Sequence, residues 1–212
     1  PMPTIYLIRH GQASFGAADY DVLSPVGEQQ SKVLGEELRR REIRVDQVAS
    51  GTLRRQLATA AACLPVAEID LAARQDVRWN EYDHLALVRE SLPPGEEPPS
   101  TREFQNLLDA ALLAWIGESA QAGRAWSEFQ DGACAALAEL DGNALVFTSG
   151  GVISAICARL LGLPPQGFLA LNRTMVNAGL TKIVRGRSGT SLVSYNEHGH
   201  FEGPHRELLS YR

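Results

Sequence analysis

Thr4-Ile5-Tyr6-Leu7-Ile8-Arg9-His10-Gly11-Gln12 is the stretch on which the reading of the chain turns. Thr4 to Ile8 combine strand propensity with hydrophobicity and run straight into a cation, an imidazole and a glycine. A continuous run of this kind reads as a strand buried on both faces, as in the middle of a parallel sheet. Open parallel sheets bind ligands beyond the carboxyl ends of their strands. Arg9 and His10 therefore stand where ligand chemistry takes place, and Gly11 permits a sharp turn or a close approach. An Arg-His-Gly tripeptide alone recurs by chance, so its meaning depends on how the other strands end.

Working outward, Leu23-Ser24-Pro25 marks a helix start, with Ser24 as N-cap and Pro25 at the first helical position. Val26, Val33, Leu34 and Leu38 mark one apolar face of that helix. Val45–Ala49 reads as a second strand, and strand, helix, strand predicts a right-handed parallel crossover. Ser50-Gly51-Thr52 opens a second helix that carries Arg54 and Arg55 in its first turn. Cations are disfavoured at a helix N-terminus. They either reach solvent or serve an anion bound there. Ala144–Thr148 is another fully apolar strand, followed by Ser149-Gly150-Gly151 and a helix through Val152, Ile153, Ile156 and Leu160. Free amides, small side chains and a hydroxyl make that N-terminus ready for an anion. It carries neither the Lys of a phosphate-binding loop nor the full dinucleotide glycine spacing.

Asp76–Trp79 is expected to be a further strand leading into Asn80-Glu81-Tyr82-Asp83-His84, a polar cluster that reads as a solvated turn. Pro93-Pro94-Gly95 and Pro98-Pro99 then break the chain, which makes residues 82–123 the expected cap insertion. Two helices follow, with faces built on Phe104, Leu108 and Trp115 and on Trp126, Phe129 and Leu137. Their aromatics are expected in the core. Two final strands are expected over Ala178–Val184 and Ser191–Tyr195. His198, His200 and His205 form no metal pattern with a carboxylate or cysteine partner, so no metal is expected.

The 212 residues suit a single domain, 1–212, with the cap inserted in it, and can bury a core without metal or disulfide staples. A net charge of −5 argues against general nucleic-acid or acidic-membrane binding, which needs a broad basic surface. Cys63, Cys134 and Cys157 lie far apart in apolar stretches and read as buried free thiols. With no secretory leader pattern and no apolar run long enough to span a bilayer, the expected location is cytoplasmic.

Three strand ends thus carry unusual groups: Arg9-His10-Gly11, Ser50 through Arg55, and Ser149-Gly150-Gly151. A parallel sheet brings such ends to one edge. Two guanidiniums and a helix N-terminus make a pocket for a tetrahedral dianion. An imidazole inside it can attack phosphorus, and a nearby carboxylic acid can protonate the departing oxygen.

These residues, with Leu23-Ser24-x-x-Gly27, Ser50-Gly51-x-x-x-Arg55-x-x-x-Thr59-Ala60 and Glu81 after the third strand, resemble the histidine phosphatase (phosphoglycerate-mutase-like) superfamily over nearly the whole chain. The resemblance implies an α/β fold, a three-layer α/β/α sandwich on a mostly parallel sheet with a helical cap. It implies His10 as nucleophile, Arg9 and Arg55 as phosphoryl clamps, and Glu81 as general acid and then base, its pKa raised by burial. Gln12, Ser14, Ser149, Gly150 and His84 are the expected substrate contacts. The arginines supply the charge, so no cofactor is expected. The implied ligand is a small phosphorylated substrate or inorganic phosphate.

The chain departs from the family pattern where a second histidine is usual, which here is Ser149, and in Ala13 and Gly16, where Thr and Asn are common. His84 is the candidate to fill the place of the second imidazole. The expected function is a metal-independent phosphomonoesterase acting through a phosphohistidine. The alternative is a weak or inactive phospholigand-binding or regulatory protein on the same fold. A phosphoglycerate-type mutase is the lesser third, since the family's mutases use both histidines.

Overall fold

A computed structural model describes residues 2–14, 18–96, 101–117 and 124–211. The opening stretch forms β1 (Thr4–Arg9) at the interior of a six-stranded sheet. Across the sheet the order is β3 (Ala73–Gln75), β2 (Gln47–Ser50), β4 (Ala144–Thr148), β1, β5 (Leu180–Gly186) and β6 (Gly189–Glu197). β3, β2, β4 and β1 run parallel, while β5 pairs antiparallel with both β1 and β6. Arg9 lies beside Thr148, and Ser50 beside Phe147, so the three motif-bearing ends finish level at one edge.

Side chains alternate across each strand, and this alternation divides the core. Ile5, Leu7 and Val146 face a cluster with Trp79, Trp115, Phe129 and Phe168. Ile8, Leu145 and Phe147 face the opposite cluster with Leu34, Leu38 and Leu64. Helices α1 (Pro25–Arg40) and α2 (Arg54–Val66) cover the second face. Helices α5 (Trp126–Ala138) and α6 (Gly150–Leu161) cover the first, which completes the three-layer α/β/α fold. Phe129 and Phe168 are 1% exposed. Full burial of such a side chain contributes about 1.5–3 kcal/mol.

The start of α1 is as expected. Ser24 Oγ accepts from the Gly27 amide at 3.0 Å, and Pro25 opens the helix. The Leu23-Ser24-x-x-Gly27 signature also has a packing reason. A Cβ on Gly27 would stand 2.1 Å from the Gln12 carbonyl oxygen, and one on Gly11 2.4 Å from that of Gly27. The first turn of α1 thus lies directly on the loop that leaves β1.

Two expectations are corrected. Asp76–Trp79 is not a strand: β3 ends at Gln75, and Val77–Trp79 forms one 3-10 turn. Asp76 Oδ1 accepts from the Arg78 amide at 2.9 Å, and that bond closes the turn and sends Trp79 into the core. Nor is Asn80–His84 a solvated turn. Tyr82 is buried, and Asp83 accepts from the Ala86 amide at 2.9 Å to start α3 (His84–Ser91). Residues 82–123 hold α3 and α4 (Thr101–Ile116) in their described part, while 97–100 and 118–123 lie outside the described residues. Gly16 lies outside them too. A further helix, α7 (Pro165–Arg173), has no counterpart in the sequence reading.

Candidate active site

A cavity of about 800 Å³ opens at the carboxyl edge of the sheet, and Arg9, His10, Arg55, Glu81, His84 and Gly150 line it. His10 leaves the end of β1 with its backbone held on both sides. Its amide donates to Thr148 O at 3.0 Å, and its carbonyl accepts from the Ala178 amide and Asn177 Nδ2, both at 3.3 Å. The ring is 5% exposed, with Nδ1 2.7 Å from the Gly11 carbonyl oxygen. A carbonyl only accepts, which assigns the proton to Nδ1 and leaves a lone pair on Nε2. That lone pair accepts from Arg55 Nε at 3.2 Å. Burial first, then the Arg55 and Arg9 charges, push the His10 pKa well below the ordinary imidazole value. The ring is neutral at neutral pH, as a nucleophile must be.

The two arginines of α2 have separate tasks. Arg54 turns outward and pairs with Asp19 among exposed side chains. Arg55 turns inward, buried, with Nη1 3.0 Å from Asp21 Oδ1. Asp21 also accepts from the Arg54 and Arg55 amides, at 2.9 and 3.1 Å. A carboxylate of this chain is therefore the anion that settles two cations at a helix N-terminus. Arg9 Nη1 donates to the carbonyls of Met175 and, at 3.0 Å, Tyr211. Its Nε is buried without a protein partner among the described residues. A buried donor left in that state is costly unless something else accepts from it.

Glu81 follows the 3-10 turn and meets the start of α6. Its Oε2 accepts from the Gly151 amide at 3.0 Å, and its Oε1 from the Tyr82 amide at 3.2 Å. Burial raises its pKa. The Gly151 amide and the Arg55 and Arg9 charges oppose that rise without cancelling it. Gly151 is required by contact, because a Cβ there would stand 2.2 Å from Glu81 Oε1.

Not every expected contact residue reaches the cavity. Ser149 is fully buried, and its Oγ accepts from Gln56 Nε2 at 2.9 Å. The same amide donates to Trp79 O at 2.9 Å, so Ser149 belongs to a buried polar knot behind the wall. Gln12 and Ser14 are likewise absent from the wall. Gln12 Oε1 accepts from Ser24 Oγ at 2.8 Å, and the Ser14 amide donates to Val22 O at 2.7 Å. His84 does line the cavity, set edge-on between Tyr20 (5.8 Å) and Phe104 (6.4 Å). Burial and then Arg55 depress its pKa, against an opposing pull from Asp83.

Sequence reasoning did not single out Tyr20, Tyr82, Leu169, Asn172, Arg173 and Tyr211 as site residues, though all line the cavity. Tyr82 stood inside the polar cluster that read as a turn. Asn172, Arg173 and Tyr211 arrive from α7 and the C-terminal segment, where no spacing signals chemistry. Among the described residues no three His, Cys, Asp or Glu side chains converge to hold a metal. His198 and His200 instead face the backbone carbonyls of Asn196 (2.6 Å) and Ala178 (2.9 Å).

Comparison with known proteins gives one family match, to the histidine phosphatase superfamily (branch 1), over residues 5–198. No curated protein matches the chain. Solved structures share the fold at low identity. A mycobacterial glucosyl-3-phosphoglycerate phosphatase is 21% identical, with TM-score 0.67, covering 93% of this chain and 100% of that one. A phosphoglycerate mutase from Bacillus anthracis is 21% identical, with TM-score 0.66, covering 94% and 95%. A phosphoserine phosphatase mutant from Entamoeba histolytica, in complex with phosphoserine, is 18% identical, with TM-score 0.66, covering 93% and 98%.

Proposed function

The chain belongs to the histidine phosphatase superfamily (branch 1), and from that premise we propose that it is a phosphomonoesterase that passes the phosphoryl group of a small substrate through His10. The observation that carries this reading is the His10 ring. Its Nδ1 proton is committed to Gly11 O, and its Nε2 lone pair is turned to Arg55 Nε in the cavity.

The phosphoryl group enters between Arg9 Nε, Arg55 and the start of α6. Arg55 passes its hydrogen bond from His10 Nε2 to a phosphoryl oxygen, and Nε2 attacks phosphorus. The P–N bond forms as the P–O bond to the alcohol breaks, and the Glu81 carboxyl proton goes to the departing oxygen. Glu81, now a carboxylate, takes a proton from water. The resulting hydroxide attacks phosphorus, the P–N bond breaks, and orthophosphate leaves with His10 neutral again. The guanidiniums supply the positive charge at phosphorus, so the steps call for no metal. Helices α3 and α4 act as the cap over the cavity.

The test is hydrolysis of an aryl phosphate in excess chelator by wild type and His10→Ala. Wild type turns over, and the variant loses at least about a thousandfold, as nucleophile deletions do. Equal rates in the two proteins would overturn the assignment.

Ser149 favours a second reading. Its hydroxyl is occupied by Gln56 and stands behind the wall, so no second imidazole donates from that position. One lost transition-state donor costs roughly 10²–10³ in rate. On this reading the protein binds phosphate at Arg9 and Arg55 and turns over slowly or not at all. It predicts phosphate binding with little or no His10-dependent hydrolysis. A mutase is disfavoured on the same ground.

A further inference from the structure

The part of the cavity beyond the phosphoryl end has its own chemistry. An aromatic ladder leads away from Arg55. The guanidinium carbon lies 5.3 Å from the Tyr20 ring centroid, Tyr20 meets His84 edge-on, and His84 meets Phe104 on α4 edge-on. Leu85, Leu108 and Leu169 complete this wall, and Leu108 and Leu169 are nearly fully buried.

Two of the three arginines that line the cavity are already paired with a carboxylate. Among the described lining residues the cations are Arg9, Arg55 and Arg173. Arg55 is bonded to Asp21, and Arg173 to Asp109, which bridges α4 and α7 at the cavity wall. Asp109 also accepts from Gln105 Nε2 at 3.0 Å. His84 has a lowered pKa and adds no charge at neutral pH. Once a phosphoryl dianion has taken Arg9 and Arg55, a second anion would meet Asp109 and an arginine already engaged. An uncharged ring would meet aromatic edges and leucines.

We propose that the site, read as a phosphomonoesterase, takes monophosphates whose alcohol part is uncharged and ring-bearing or otherwise apolar, and discriminates against carboxylate-bearing phosphates and bisphosphates through the Arg173–Asp109 pair. His84 and Phe104 are then specificity residues, and His84 does not stand in for a second catalytic imidazole.

Binding of inert phosphonates tests this apart from turnover. Titration calorimetry of wild type compares 2-phenylethylphosphonate with 3-phosphonopropionate, which share a two-carbon link to phosphorus and differ in a phenyl ring against a carboxylate. The phenyl compound binds at least about tenfold tighter, the size expected for one ring taken out of water. Phe104→Ala removes most of that preference. Asp109→Asn, which frees Arg173, raises the affinity for 3-phosphonopropionate by about tenfold. Hydrolysis follows the same order for 2-phenylethyl phosphate against 3-phosphoglycerate, both alkyl esters with leaving groups of similar basicity. Equal or tighter binding of 3-phosphonopropionate to wild type overturns the proposal whether or not the protein is active. A phenyl preference in a protein that hydrolyses neither ester supports the ligand class while contradicting the phosphatase reading.

Discussion

At the scale of residues, two protons set how the site responds to pH. His10 must be unprotonated to attack, and burial with Arg55 and Arg9 lowers its pKa. Activity is therefore lost only as pH falls through that depressed value. Glu81 must be protonated to release the alcohol, and burial raises its pKa. Activity is lost as pH rises through that raised value. The kcat/KM profile is expected to be a bell whose acid limb belongs to His10 and whose alkaline limb belongs to Glu81. Glu81→Gln removes the enzyme's alkaline limb and slows alkyl phosphates far more than nitrophenyl phosphate, whose departing oxygen needs no proton. An unchanged alkaline limb in Glu81→Gln would remove Glu81 from the acid role. Arg9 and His10 were legible in the sequence at the end of the apolar run of β1, and Arg55 in the helix start after β2, whereas Glu81 stood out only through the family resemblance. Ser149 was placed correctly along the chain but not in depth. Its Oγ faces Gln56, a residue 93 positions away that no local pattern connects to it. Ser149→His must therefore fit an imidazole into a filled, fully buried site. The expected cost is about 1–3 kcal/mol of stability, typical of overpacking, read from the denaturant midpoint.

At the scale of elements, the start of α6 decides where Glu81 sits. The Gly151 amide donates to Glu81 Oε2, and the missing Cβ makes room for Oε1. Gly151→Ala puts a methyl group 2.2 Å from that oxygen and 2.5 Å from the Tyr82 ring. The carboxyl group is displaced, and kcat for alkyl phosphates falls by at least about a hundredfold, since misplacement of about 1 Å costs that much. Full activity in a folded Gly151→Ala would mean that Glu81 need not hold this position. The elements that were legible carry local signals: an apolar run, a Ser-Pro helix start, a small-residue turn after β4. Those that were not depend on a side-chain bond that overrides propensity or on a distant partner. Val77–Trp79 looked like a strand because Val and Trp favour strands, yet the Asp76 side chain closes a turn there. The two arginines opening α2 made sense only once Asp21, 33 to 34 residues earlier, was seen to accept from both amides.

At the scale of the molecule, period-two alternation on β1 and β4 divides one sheet into two cores, and parallel pairing brings three strand ends to one edge. That much was readable, because burial on both faces leaves its mark on every residue of a central strand. The outer cavity was not readable. Tyr20, Leu169, Arg173 and Tyr211 come from separate segments that meet only in the folded chain. Sheet and cavity meet at His10, and the proposed chemistry turns on what that ring does. The most direct test is a rapid acid-free quench of wild type mixed with a labelled aryl phosphate in excess chelator, followed by peptide mapping. The expected result is an acid-labile, alkali-stable phosphoryl group on His10 that forms and decays at rates compatible with turnover and is missing from His10→Ala. Turnover in which no label reaches His10, or an undiminished rate in His10→Ala, would contradict it.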